Sequence, residues 1–125
     1  MMHTALWIAQ VLLAAIFLIT GVTKLVVPRR RLAAGPMRWA ADVTDARFRT
    51  IGLLEVLGAL GLVLPGVLGV ATILTPLAAV GLTLTMVGAI ATHVRFHEIE
   101  RLAVPIVILA VTLVVAVERF GQHAL

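Results

Sequence analysis

Long apolar runs, interrupted at a few places by clustered polar residues, make up nearly the whole chain. The runs are "ALWIAQVLLAAIFLITGVTKLVV", "ARFRTIGLLEVLGALGLVL", "PLAAVGLTLTMVGAIATHVR" and "LAVPIVILAVTLVVAVERF". Each is close to the length of about 20 residues that crosses about 30 Å of hydrocarbon. The pattern predicts an all-α fold, a bundle of four transmembrane helices over about residues 5–27, 46–64, 76–95 and 102–120, forming one domain from 1 to 125 with no soluble domain left over.

The breaks carry their own physical signals. Thr44 and Asp45 suit a helix N-terminus, Pro65-Gly66 predicts the end of the second helix, and Thr75-Pro76 predicts the cap and first turn of the third. Between them "GVLGVATIL" is uncharged, so its backbone must be helical, interfacial or packed against protein, which predicts a tight hairpin. In the first connection, "RRRLAAGPMRWAADV" mixes arginines with Met37, Trp39 and Val43, a composition suited to the membrane interface, and Gly35-Pro36 should interrupt any helix there. The first apolar run is expected to stay in the mature chain, because "MMHT" lacks a basic leader and "PRRR" follows like a stop-transfer signal.

Composition agrees with lipid as the solvent. Among 125 residues 62% are hydrophobic and 13% charged, and the mean hydropathy is +1.14, far from an ordinary soluble domain. The net charge of +4 is unevenly placed. Lys24 and Arg29, Arg30, Arg31, Arg38, Arg47, Arg49, Arg95 and Arg101 flank the first and third connections, and Arg119 lies on the other side. The positive-inside rule predicts cytoplasmic basic loops with both termini outside. Orientation and attraction to anionic headgroups account for the arginines, so no nucleic-acid partner is expected. The chain has no cysteine, which excludes a CxxC thiol relay. It has no P-loop, no GxGxxG and no spacing for a Ser-His-Asp triad.

Glu55 is the one acid within "IGLLEVLGALGLVLPG". At 100° per residue, its angular neighbours are Phe48, Ile51, Gly52, Gly58, Ala59 and Leu62, several of them small enough to admit a neighbouring helix. The first helix offers Lys24 about one turn from the end of its span, on a stripe shared with Gln10, Leu13, Phe17, Thr20 and Gly21. His93 near the end of the third helix falls at similar depth. Because an intramembrane charge costs a few kcal/mol and normally faces the bundle interior, an ion pair between Lys24 and Glu55 is expected, with His93 close enough to share protons. The structural alternative has Lys24 snorkelling, Glu55 protonated against a neighbouring helix, and His93 at the interface. His93 and His97, spaced i, i+4 and followed by Glu98 and Glu100, are weak metal candidates without the HExxH glutamate, and no metal is expected. The fourth helix reads as scaffold, with Glu118 and Arg119 marking the outer interface.

The run Phe17-x-x-x-Gly21-x-x-Lys24-Leu25, followed by "IGLLEVLGALGLVLP" and "TPLAAVGLTLTMVGA", resembles the DoxX-like family of small bacterial integral membrane proteins. The resemblance implies a four-helix bundle in the bacterial cytoplasmic membrane, linked with quinone-dependent oxidation of sulfur compounds and a membrane redox partner. It carries over Gly21, Lys24, Glu55 and His93. The expected function is a non-catalytic subunit or a quinone- or lipid-binding protein. One alternative is a small, homo-oligomeric proton-coupled transporter using Glu55. Small multidrug transporters share the length and four helices, but their essential acid belongs to the first helix, where this chain has a lysine. A further alternative is an assembly protein without a ligand.

Overall fold

The computed structural model describes residues 2–35, 37–95, 97–121 and 123–125. Helix α1 is Met2–Val26, α2 is a short helix Arg29–Ala33, α3 is Asp45–Leu68, α4 is Leu74–Arg95 and α5 is Ala103–Phe120. Two 3-10 turns, Arg38–Asp42 and Ile99–Arg101, fill the connections on one side. Among the described residues there are no strands, and four helices are long and apolar enough to cross a membrane. The chain is an all-α, multi-pass membrane bundle.

The packing follows chain order. α1 lies along α3, α3 along α4, α4 along α5, and α5 closes back more lightly on α1. Leu6, Leu13 and Phe17 of α1, Ala59 and Leu62 of α3, Ala79 and Leu82 of α4, and Val115 and Ala116 of α5 form the buried centre. The reverse faces keep their large apolar side chains outside: Ile19 is 67% exposed, Leu84 66% and Val107 61%. Such surfaces are stable against acyl chains and would be a liability in water.

Two glycines let the backbones of α1 and α3 approach closely. A Cβ added to Gly21 would lie 2.7 Å from the Gly52 carbonyl oxygen, and one added to Gly52 would lie 2.9 Å from that of Gly21. With no side chain at either position the α1 and α3 backbones come together, as small residues allow between membrane helices.

The second helix does not end at Pro65. α3 continues to Leu68, where Gly69 takes the left-handed conformation (φ 66°) that closes the C-terminus. A proline within a helix leaves the carbonyl four residues earlier without its donor. Here that carbonyl belongs to Gly61, and the Thr75 hydroxyl donates to it at 3.0 Å. Thr75 therefore does not cap its own helix as expected: α4 starts at Leu74, and the Thr75 side chain repairs the neighbouring one. Next to it, Gln10 Nε2 donates to the Leu62 carbonyl at 2.6 Å. Thr75→Val keeps the shape and removes the donor, so it should lower stability by about 1 kcal/mol, readable as a reduced melting temperature in detergent; an unchanged melt would dismiss this repair.

At the basic end the first connection folds back as a cover. Leu32, Ala40 and Phe48 form a second buried cluster, with Met37, Trp39 and Val43 packed against it, and the Trp39 and Phe48 rings lie 5.5 Å apart. Thr44 caps α3 by accepting from the Arg47 N–H at 3.2 Å. α2 ends before Gly35; Pro36, expected to interrupt any helix with it, lies outside the described residues.

Candidate functional site

Gln10 and Lys24, with the half-buried Thr20 beside them, lie on the inward face of α1. Leu6, Gln10, Leu13, Phe17, Gly21 and Lys24 are all buried, and on α3 so are Phe48, Gly52, Glu55, Ala59 and Leu62. The Gly21 and Gly52 contact brings these two faces together one turn from the basic end. Lys24 Nζ donates to Glu55 Oε1, and the Thr20 hydroxyl donates to Glu55 Oε2 at 2.5 Å. Both carboxylate oxygens thus have a donor from α1. Lys24 and Glu55 are 8% and 2% exposed, which places a complete ion pair in an apolar setting.

Trp39 covers the pair from outside the span. Its ring centroid lies 5.9 Å from Lys24 Nζ, within the range of a cation–π contact. Beyond the ammonium a cavity of about 360 Å³ opens, walled by Lys24, Val27, Pro28, Arg29, Arg30, Asp45, Phe48 and Arg49. On the other side, toward the N-terminus of α1, Phe17, Leu13 and Leu62 are buried in the apolar centre. The pair sits between an apolar core and a charged opening.

His93 is engaged elsewhere. Its Nδ1 lies 3.3 Å from Glu98 Oε1, so in place of the expected proton-sharing cluster the structure has Lys24, Glu55, Thr20 and Gly21 in one group and His93 in another. The physical reason is that Glu55 turns to α1, whose Lys24 and Thr20 take both its oxygens, while Glu98 follows His93 closely in the chain and offers its ring nitrogen a carboxylate. α4 ends at Arg95 and His97 has a positive φ of 57°, so the helical i, i+4 relation between His93 and His97 does not hold. Among the described residues no three of His, Cys, Asp and Glu converge as metal ligands.

Glu98, which the sequence offered only beside the weak metal candidates His93 and His97, is a hub of ion pairs. It is 1% exposed, and its carboxylate lies 3.4 Å from Arg38 Nη2 and 3.5 Å from Arg101 Nε, which ties the first basic connection to the third. Burial pushes its carboxyl up, but the His93 hydrogen bond and the charges of Arg101 and Arg38 outweigh burial and hold it below its ordinary value of 4.5. A carboxylate held low in the folded state contributes stability that is present above 4.5 and lost as pH falls through the lower folded value. Wild type should therefore melt above Glu98→Gln at neutral pH, and the two curves should converge below pH 4.5; a difference constant into acid would oppose this.

At the opposite end, Arg119 is buried rather than marking an interface, with 2% exposure. Its Nε donates to Gln10 Oε1 at 2.7 Å, Nη1 donates to the His123 carbonyl at 2.7 Å and lies 3.0 Å from His3 Nδ1, and the guanidinium lies 5.8 Å from the Trp7 ring. Glu118, its neighbour, instead approaches His123 at 2.6 Å. The signal available in the sequence was Gln10, a polar residue on the buried stripe that required a partner.

No curated protein and no solved structure matches the chain. A family model does, over residues 8–115, which include Gly21, Lys24, Glu55 and His93. The four apolar helices and the pairing of Lys24 with Glu55 thus stand in a chain that belongs to the DoxX-like family.

Proposed function

We propose that the protein is a non-catalytic membrane subunit that binds the polar head of an amphipathic small molecule, of the quinone or lipid class, at the Lys24 and Glu55 pair. The observation that carries this reading is a buried ion pair with one side open to a cavity and an aromatic ring over its cation. Ligand sites combine an apolar setting with a few converging polar groups, and the Lys24 ammonium has N–H groups beyond the one given to Glu55 with which to meet a carbonyl oxygen. Quinone is the probe suggested by what the family resemblance implies, and the redox partner and the cytoplasmic membrane belong to the same proposal. The basic end then faces the cytoplasm under the positive-inside rule.

The transporter alternative would require Glu55 to exchange protons with both sides. The buried Leu13, Phe17, Leu62 and Leu82 layer on one side of the pair speaks against such a path. Reconstitution in liposomes tests it, since only a transporter should move substrate with an imposed pH gradient.

The binding reading is tested by native mass spectrometry of the full chain in mild detergent with a short-chain ubiquinone. Lys24→Met and Glu55→Gln should each lower quinone retention by about tenfold, the equivalent of roughly 1.4 kcal/mol, while the helical signal is kept. The amide introduced by Glu55→Gln still offers an acceptor to Thr20, and in Lys24→Met the Glu55 carboxylate keeps its Thr20 donor. Equal retention by wild type and both variants would overturn the reading.

A further inference from the structure

We infer that the cavity at the basic end is a site for an anionic phosphate, presented by a lipid headgroup or as a free phosphate. The inference deepens the proposed function and rests on it for the Lys24 end of the cavity. Four cations, Lys24, Arg29, Arg30 and Arg49, line a space of about 360 Å³ with a single acid, Asp45. Their partners divide them into two kinds. Lys24 is neutralised by Glu55. Arg29 is held by Asp45 at 2.7 Å and by the Ala40 carbonyl at 2.8 Å, so its guanidinium is fixed against the cavity wall.

Arg30 and Arg49 make no ion pair or side-chain hydrogen bond among the described residues. They leave the cavity with an excess of two positive charges at the edge of a low-dielectric bundle, where like charges repel more strongly than in water. A phosphate diester carries one negative charge and a monoester close to two, so either fits the excess, and arginine meets phosphate oxygens through two parallel N–H donors. Val27, Pro28 and Phe48 complete the wall with apolar surface suited to the start of a lipid's acyl chains. Basic pockets at the ends of transmembrane helices hold anionic headgroups by this combination. A neutral quinone would leave the two arginine charges unbalanced, which is why the charge points to phosphate.

The test uses the full chain in mild detergent, with phosphatidylglycerol and phosphatidylcholine offered in equal amounts and bound lipid read by native mass spectrometry. Phosphatidylcholine is the control because its phosphate is already balanced by choline. Wild type should hold phosphatidylglycerol over phosphatidylcholine by roughly tenfold, and Arg30→Gln/Arg49→Gln should reduce the preference to about twofold or less. Both side chains are exposed, so the variant should melt with wild type in phosphatidylcholine; if it does not, Arg30→Gln alone is used in the same assay. Inorganic phosphate that displaces phosphatidylglycerol identifies free phosphate as a second source, and failure to displace it identifies the lipid; both outcomes uphold the site. No preference in wild type, or an undiminished preference in the variant, overturns it. Quinone retained through Lys24 and Glu55 without a lipid preference would sink this inference and leave the proposed function standing, whereas loss of both would end both.

Discussion

Glu55→Ala should destabilise the bundle by about 3–5 kcal/mol, because it leaves an ammonium unpaired in an apolar setting. Two groups lose their acceptor at once. Lys24 is 8% exposed, and the Thr20 hydroxyl, which donates to Glu55 Oε2 at 2.5 Å, keeps only its longer bond to the Phe17 carbonyl at 3.3 Å. Glu55→Gln should be milder, since an amide oxygen still accepts from Thr20. The lysine has an escape that limits the damage, toward the cavity walled by Arg29, Arg30 and Arg49, but that direction is already crowded with positive charge. The measurement is reversible unfolding in mixed detergent, followed by tryptophan fluorescence, since Trp39 lies over the ammonium. A loss below about 1 kcal/mol, the scale of an exposed pair, would mean that Glu55 is solvated.

Gly21→Leu should be as damaging by a different route. The first atom of any side chain at 21 would meet the Gly52 carbonyl oxygen at 2.7 Å and the Val56 backbone nitrogen at 3.0 Å, and backbone cannot swing aside as a side-chain end can. α1 and α3 must separate, and separation pulls Lys24 and Thr20 off Glu55. Overpacking alone costs about 1–3 kcal/mol, and loss of the pair adds to it, so the variant should fail to purify as a folded bundle or melt far below wild type. Gly81→Leu is the matched control: a Cβ at Gly81 meets nothing within 4 Å, and that substitution should leave the melt nearly unchanged. Similar behaviour of the two variants would show that close approach at Gly21 is not what holds α1 to α3.

The four helices were legible because lipid imposes a length and an apolar composition that few other solvents require. The face of α1 that turns inward was legible for the same reason: Gln10, Thr20 and Lys24 share one helical stripe, and polar groups avoid acyl chains. Depth along two antiparallel helices then brought Lys24 and Glu55 to one level. Depth alone could not say which carboxylate a side chain would meet: His93 stands on α4, and its ring nitrogen meets Glu98, which follows it closely in the chain, while Glu55 is taken by Lys24 and Thr20 of α1. Arg119 was obscured by position, because a charged residue at a helix end reads as an interface anchor whether it turns out or in, and Glu98 was weighed only beside the two histidines as a metal candidate. Pro65 shows a local rule overridden by tertiary structure: the helix runs through it because Thr75, from the next helix, supplies the missing donor. No stretch of α3 alone contains that information.

A double-mutant cycle on Lys24→Met and Glu55→Ala, read as unfolding free energy in the same detergent, tests most directly whether opposite charges meet inside the bundle. The account predicts that the double variant is more stable than Glu55→Ala alone, with a coupling energy of about 2 kcal/mol or more, since removing the second charge relieves the first. Losses that add to within about 0.5 kcal/mol would contradict it, because they would mean that the two side chains do not interact.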